Sequence, residues 1–258
     1  MLQFCLLGSG SSGNATLIRV AETGILIDNG LSYKELCRRA DVAGVSLEGL
    51  RALFITHEHG DHVKGAGILA RKTGVPVYLT EGTFASLSPS VGEFPQAVRF
   101  EAGEAFEIGG LTVGSFSVSH DAADPVSYTV RCGSAQVGLA TDLGHVSHLV
   151  RTRLRGSTAL IVESNYCPEM LRMGHYPAQV QQRIRSRNGH LSNQDMTSLL
   201  DGLVHDQLRT VVLVHISEHN NTPALAHGFA ARVLERHGAT LHVAAPDEPS
   251  PIFEVPVA

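Results

Sequence analysis

Four candidate metal ligands, His57, His59, Asp61 and His62, stand within six positions in His57-Glu58-His59-Gly60-Asp61-His62. Imidazole nitrogens and carboxylate oxygens are donors that suit divalent zinc, manganese or iron. The cluster follows Phe54-Ile55-Thr56, which reads as the end of a buried strand. Alternate residues of an extended segment share a side, so His57 and His59 face one position, while Asp61 and His62 turn toward a second. One loop that feeds two adjacent positions is what a two-metal hydrolase needs, with its ions roughly 3.5–4 Å apart.

Such a loop has to be held by a frame, and the sequence supplies one. Apolar or alternating runs predict strands over Leu2–Leu7, Ala15–Val20, Ile25–Asp28, Ala52–Thr56, Pro76–Leu79, Leu111–Val118, Val126–Arg131, Gln136–Ala140, Ala159–Glu163 and Thr210–His215. Helix starts are marked by Ser32 with Glu35 as a capping box, Ser192 with Asp195, and Thr222-Pro223. Many strands with few helices predict an α+β protein in which two sheets pack face to face with helices outside, because each sheet must bury an apolar face. Gly8-Ser9-Gly10-Ser11-Ser12-Gly13, with Asp28 beyond it, has the spacing of a dinucleotide fingerprint. The segment after it, Ala15–Val20, is β-branched and not helical, so the run is read as strand, turn, strand, with glycines that allow close backbone approach.

The 258 residues are 43% hydrophobic and 17% charged, which excludes a disordered or collagen-like chain and makes one domain over 1–258 the expectation. Residues 246–258 carry four prolines and are expected to form an irregular tail. Cys5, Cys37, Cys132 and Cys167 are dispersed, so neither a disulfide framework nor a zinc knuckle is implied and a cytoplasmic location is expected. No apolar run approaches the ~20 residues that span a bilayer, so no membrane association is expected. The net charge of −5 hides an asymmetry. Between Arg151 and Arg187 seven arginines face only Glu163 and Glu169, a local net of 7 − 2 = +5.

His57-x-His59-x-Asp61-His62 resembles the signature of the metallo-β-lactamase superfamily. Its other motifs follow in order: Asp28 after Ile25-Leu26-Ile27, His120 in Val118-Ser119-His120-Asp121, Asp142 in Ala140-Thr141-Asp142-Leu143-Gly144, and His215 in Val214-His215-Ile216-Ser217. The resemblance implies an αβ/βα four-layer sandwich and two divalent ions. His57, His59 and His120 would hold one ion, Asp61, His62 and His215 the other, with Asp142 and a nucleophilic hydroxide bridging. Asp28 would hold a ligand in place without binding metal, or simply cap a strand end.

Several features narrow the chemistry. His59 stands where the redox branch of the superfamily typically has glutamate, and Asp142 is present where common zinc β-lactamases lack it. Only 47 residues separate Asp142 from His190, too few for an inserted β-CASP-type domain. Leu7–Asn14, Tyr176-Pro177, Gly189-His190-Leu191-Ser192-Asn193 and His215-Ile216-Ser217-x-x-Asn220-Asn221 together are similar to the bacterial WalJ (YycJ, VicX) family. That resemblance implies a manganese-dependent exonuclease on single-stranded DNA, running 5′ to 3′, with a role in DNA repair. Zinc or iron remain open as the metal, as do duplex ends or RNA as substrate. One departure is Ser164-Asn165-Tyr166-Cys167, where the family often has Ser-Asn-His-Asp.

Asp61 and His190 are the candidate catalytic residues, His190 by likeness to a histidine of tRNA-processing nucleases that contacts phosphate or protonates the leaving group. Ser192 and Asn193, at a predicted helix start with free amides, are candidate phosphate contacts. Arg183, Arg185 and Arg187 form either a track for a strand or a solvated helix face. Asn220 and Asn221 are assigned to substrate, loop ordering or a turn, and His175 and His219 lie in loops beside motifs as candidates for substrate contact. The alternatives are a glyoxalase-II-like thioesterase with a small-molecule pocket and an RNA-processing nuclease. Oligomeric state is open.

Overall fold

The computed structural model describes residues 1–257. One sheet holds β1 (Leu2–Gly8), β2 (Ala15–Val20), β3 (Thr23–Ile27), β4 (Leu50–Phe54), β5 (Val77–Thr80) and β6 (Ala97–Phe100), with β14 (Phe253–Val255) at its far edge. Its order is β14-β1-β2-β3-β4-β5-β6. The other sheet holds β7 (Ala105–Ile108), β8 (Leu111–Ser117), β9 (Val126–Cys132), β10 (Ala135–Ala140), β11 (Ala159–Glu163), β12 (Thr210–Val214) and β13 (Thr240–Val243), ordered β13-β12-β11-β10-β9-β8-β7. Each sheet has an antiparallel half and a parallel half: β3 to β6 are parallel in the first, β10 to β13 in the second.

Helices cover the outer faces. Next to the first sheet lie α1 (Tyr33–Ala43), α2 (Gly60–Val63), α3 (Ala66–Thr73) and α4 (Glu81–Ala85), and after β10 come α5 (His148–Leu154), α6 (Pro168–Met173), α7 (Ala178–Ile184), α8 (Asn193–Asp201) and α9 (Pro223–Leu234). The strands read as continuous apolar runs because both of their faces are buried. Ile25, Ile27, Ala52 and Phe54 point into the core between the sheets, while Leu26 and Leu53 pack outward with Leu36 of α1 and Leu69 of α3. In the second sheet Ile161, Val212 and Val214 face inward, and Leu160, Val162, Val211 and Leu213 pack against Leu199 and Leu200 of α8. Each such side chain contributes ~1.5–3 kcal/mol of transfer free energy, which makes the four layers mutually dependent.

Ser32, Ser192 and Thr222 cap α1, α8 and α9 as expected. The capping box at Ser32 is only half formed, because Glu35 turns its carboxylate to Arg38 and Arg39. The tail is not irregular throughout: Phe253–Val255 pairs antiparallel with Leu2–Phe4, where β1 would otherwise leave unpaired backbone groups at the sheet edge. Ala258 lies outside the described residues. Gly8–Gly13 is confirmed as a turn between antiparallel strands and not the start of a helix. Among the described residues no helix is long and apolar enough to cross a membrane, and all four cysteines are free.

Candidate metal centre

The site lies at the carboxyl ends of the parallel strands, where open α/β sheets place their ligand sites. Asp28 follows β3, His57 follows β4, Asp142 follows β10, Glu163 ends β11 and His215 follows β12. Asp28, Asp142 and His215 each adopt left-handed backbone, at φ of 60°, 50° and 56°. This conformation is uncommon for a residue with a side chain. It turns the chain sharply as it leaves the strand, and it occurs here at three site residues.

The ring nitrogens His57 Nε2 and His120 Nε2 lie 3.0 and 3.3 Å from His59 Nδ1. This first group stands beside a second, in which Asp61 Oδ2 is 3.4 Å from His62 Nε2 and 3.8 Å from His215 Nε2. Asp142 lies between them, with Oδ2 3.1 Å from His62 Nε2 and Oδ1 3.8 Å from His120 Nε2. Every ligand set drawn from these groups, His57-His59-His120, Asp61-His62-His215 and His57-His62-Asp142, has its donor atoms within 4.8 Å of one another.

Two observations test whether the residues fit divalent ions. Asp142 Oδ2 and His215 Nε2 are buried and make no well-aligned hydrogen bond, with His62 Nε2 3.1 Å from the first and Asp61 Oδ2 3.8 Å from the second, although a buried polar atom left unsatisfied is costly. The charges also need a cation. Burial opposes ionisation of Asp142, yet His215 and His62 hold its carboxyl well below the usual range, and Asp61 is lowered by the same two rings. Burial holds His57 and His120 below the ordinary imidazole value, which leaves lone pairs available. Against burial, Asp28 and Asp142 raise His62, and Asp142, Asp61 and Glu163 raise His215. These two rings are held charged by carboxylates that a metal ion would satisfy instead. The site fits two divalent ions.

The surrounding contacts fix the rings. Asp28 Oδ2 accepts from His62 Nδ1 at 2.8 Å and from Thr56 Oγ1 at 2.8 Å, and Asp28 Oδ1 accepts from the Thr56 amide. With Nδ1 thus committed, His62 presents Nε2 to the cluster. The loop after β1 also reaches the site: the His215 amide donates to Ser9 Oγ, and Asn14 Nδ2 lies 3.2 Å from Asp61 Oδ2 and 2.9 Å from His62 Nε2.

Two contributors escaped the sequence reading. Asn14 closes the Leu7–Asn14 run, to which the sequence assigns a turn and a close backbone approach but no side-chain role. Glu163 is fully buried and accepts four hydrogen bonds: Oε1 from His190 Nδ1 at 2.7 Å and His215 Nδ1 at 3.0 Å, Oε2 from the Leu143 and Leu191 amides. Burial opposes its ionisation, but His190 and His215 hold the carboxyl below its ordinary value. An acid closing the otherwise apolar run Ala159-Leu160-Ile161-Val162 was the available signal.

The candidate substrate residues divide. His190 reaches the cleft and the ligand cluster together, its Nδ1 3.6 Å from Asp142 Oδ1. Arg183 lines a groove with His120 and His190, paired there with Asp121 at 2.9 Å. Arg185 and Arg187 are exposed on the turn after α7, and Arg185 Nε donates to the Gln181 carbonyl. Ser192 and Asn193, expected to contact phosphate, are buried in structural bonds, and Asn221 is buried in the loop-ordering role that was one of its expected alternatives. Ser192 Oγ caps Asp195, and the Asn193 and Asn221 amides pair with each other and with Ser164 and Asn165. The α8 amides at Asn193 and Asp195 are not free for phosphate either, being taken by the Tyr166 carbonyl and by Ser192. Asn220 lines the cleft, with its amide toward Ser217.

Two facing sheets with imidazoles and carboxylates gathered at one edge define a metal-dependent hydrolase of the αβ/βα sandwich class. The model of the beta-lactamase superfamily domain matches residues 23–216, and the chain belongs to that family. It is 37% identical over 239 residues to the exodeoxyribonuclease YycJ of Bacillus anthracis, covering 92% of this chain and 90% of that protein. It is 32% identical over 263 residues to the exodeoxyribonuclease WalJ of Streptococcus pneumoniae, covering 98% of both. Among solved structures, the metallo-beta-lactamase fold protein YhfI from Bacillus subtilis aligns with a TM-score of 0.73 at 15% identity, over 98% of this chain and 100% of that one.

Proposed function

We propose that this protein is a two-metal exodeoxyribonuclease that degrades single-stranded DNA from the 5′ end, with manganese as its working metal and DNA repair as its setting. The observation that carries the reading is the complete ligand set around Asp142, opening beside His190 onto a groove that contains an arginine. The names of the two full-length relatives, both exodeoxyribonucleases, support the choice of DNA. His57, His59 and His120 would hold one ion and Asp61, His62 and His215 the other, with Asp142 shared. When bound, such ions supply Lewis acidity toward a phosphoryl oxygen and lower the pKa of a water molecule that attacks phosphorus.

The protein's own groups do the rest. Asp28 keeps the His62 ring in place, and Glu163 does so for His215. Glu163 also accepts from His190 Nδ1, which leaves Nε2 as the atom that can deliver a proton to the departing oxygen. Arg183 contributes positive charge along the groove, in balance with Asp121.

The test uses chelated protein reloaded with manganese, zinc or magnesium and given end-labelled single-stranded and duplex DNA, an RNA of the same sequence and a thioester. The expected result is manganese-dependent release of nucleotides from the 5′ end of the single strand, abolished by His59→Ala and by Asp142→Asn in folded protein. Thioester turnover without cleavage of any nucleic acid would overturn it in favour of the thioesterase.

A further inference from the structure

Three rings stand together on the rim of the cleft, outside the ligand cluster. His175 meets Tyr176 edge to face, with centroids 4.8 Å apart and planes at 71°, and meets His219 at 5.3 Å and 79°. Tyr176 and His219 close the triangle at 6.0 Å and 82°. Steep angles of this kind set ring edges against ring faces, so the rings do not cover one another completely. His175 and His219 are exposed and Tyr176 is half-buried. Tyr176 and His219 line the same cleft, of about 330 Å³, as His190 and His215. That volume lies within the range of sites for small organic groups.

The rings are fastened to the loop that carries His215. Asn165 Nδ2 donates to the His215 carbonyl at 2.8 Å, the Ser217 amide donates to the Asn165 carbonyl, and the Cys167 amide donates to the Asn220 carbonyl at 2.8 Å. Gly174 packs on the Asn220 side chain, where a Cβ would come within 3.0 Å of Oδ1. The segment bearing His175 and Tyr176 therefore keeps a fixed relation to His215. One cleft thus has imidazoles at its inner end and ring surfaces at its rim.

We infer that Tyr176 and His219, supported by His175, form a stacking subsite for an unpaired nucleobase next to the reacting phosphate. This rests on the nuclease reading above and names what holds the base. Alternation of a phosphate-binding end with aromatic faces is how single strands are gripped without sequence preference. In a duplex the base faces are occupied by neighbouring bases, so a stacking platform of this kind selects an unstacked strand and gives single-strand preference a physical basis.

The experiment is a substitution cycle read by binding. Chelated, metal-free protein is titrated into a fluorescent single-stranded hexanucleotide, intact or carrying one abasic position moved along the strand. Tyr176→Leu should weaken binding of the intact strand about 5- to 100-fold, with Tyr176→Phe within about twofold of wild type, as expected for loss or retention of one base stack. At one abasic position wild-type binding should fall by a similar factor, and there the Tyr176→Leu loss should disappear. A wild-type abasic scan with no sensitive position, or a Tyr176→Leu loss that is equal on intact and abasic strands, overturns the subsite. Manganese-loaded cleavage, measured in parallel, separates the two claims. Cleavage without the coupling removes the subsite and keeps the nuclease, and coupling without cleavage does the reverse.

Discussion

Replacing Glu163 with glutamine keeps the volume of the side chain and changes only its hydrogen bonding, so its consequences follow from the four contacts. The carboxylate accepts from His190 Nδ1 and His215 Nδ1 with one oxygen and from the Leu143 and Leu191 amides with the other. Glutamine has a single oxygen. If that oxygen serves the two backbone amides, its NH2 faces the two rings, which accept only when their protons move to Nε2. His215 would then present an N–H to the ligand cluster instead of a lone pair. If the amide is reversed, two buried backbone donors face an NH2, at ~1–3 kcal/mol each. Either arrangement forfeits two bonds to a charged group worth ~1.5–3 kcal/mol apiece, and the neutral replacements recover part of that, leaving a net loss of about 2–4 kcal/mol in the metal-free protein.

The effect on metal is separable. Groups that orient a ligating imidazole typically contribute 10- to 100-fold in affinity, so Glu163→Gln should bind zinc or manganese weaker by about that factor. Calorimetric titration of the chelated protein measures this, and thermal unfolding with and without metal measures the stability loss. Metal affinity equal to wild type, whether or not the protein is destabilised, would refute the claim that Glu163 sets the His215 ring for ligation.

Asn221→Ala removes an amide that donates to the Ser164 and Asn165 carbonyls and pairs with Asn193; a loss of about 2–3 kcal/mol in chemical denaturation is expected. The KM for DNA of the folded fraction should not change, and an altered KM would restore Asn221 as a substrate contact. Gly30→Ala places a Cβ on the Asp61 carbonyl. It should cost ~1–3 kcal/mol and weaken metal binding through displacement of Asp61, so a wild-type melting temperature and titration would contradict the packing. At Glu35, Arg38 first and Arg39 second hold the carboxyl at about 2, below its ordinary 4.5. A depressed carboxylate contributes stability that is complete above 4.5 and disappears as pH falls toward 2. With the side chain 33% exposed the effect stays below about 1 kcal/mol. Stability curves of wild type and Glu35→Gln should converge in acid, and a gap that is constant with pH would refute the ion-pair origin.

The central strands were legible because both of their faces are buried, and the edges were not. Ala97–Phe100, Ala105–Ile108, Thr240–Val243 and Phe253–Val255 were missed, and they are the four edge strands of the two sheets. An edge strand is short and half-exposed, so its alternation is diluted: Ala105–Ile108 alternates between exposed and half-buried positions, and Thr240–Val243 has no buried residue. The same reasoning applies to the phosphate contact expected of Asn193 and to the substrate alternative for Asn221. A polar residue beside a motif looks available in sequence, and only the fold shows that its amide is consumed in joining the α8 start to the loop after β12.

What sequence spacing could not convey is how these segments converge, and the backbone supplies the reason. Parallel strands from each sheet end at the same edge of the sandwich, so any residue just past a strand end is delivered there. A single left-handed residue then turns the chain before its side chain can run on along the strand direction, and Asp28, Asp142 and His215 are those residues. Each left-handed residue costs ~1–2 kcal/mol, a charge borne by the buried strands behind it. Glu163 arrives at the same edge without that turn, as the last residue of β11, and is fully buried. Its Oε1 reaches the rings of His190 and His215 together, beside Asp142. Glu163 thus holds both imidazole rings with one oxygen while its other oxygen ties down the Leu143 and Leu191 amides.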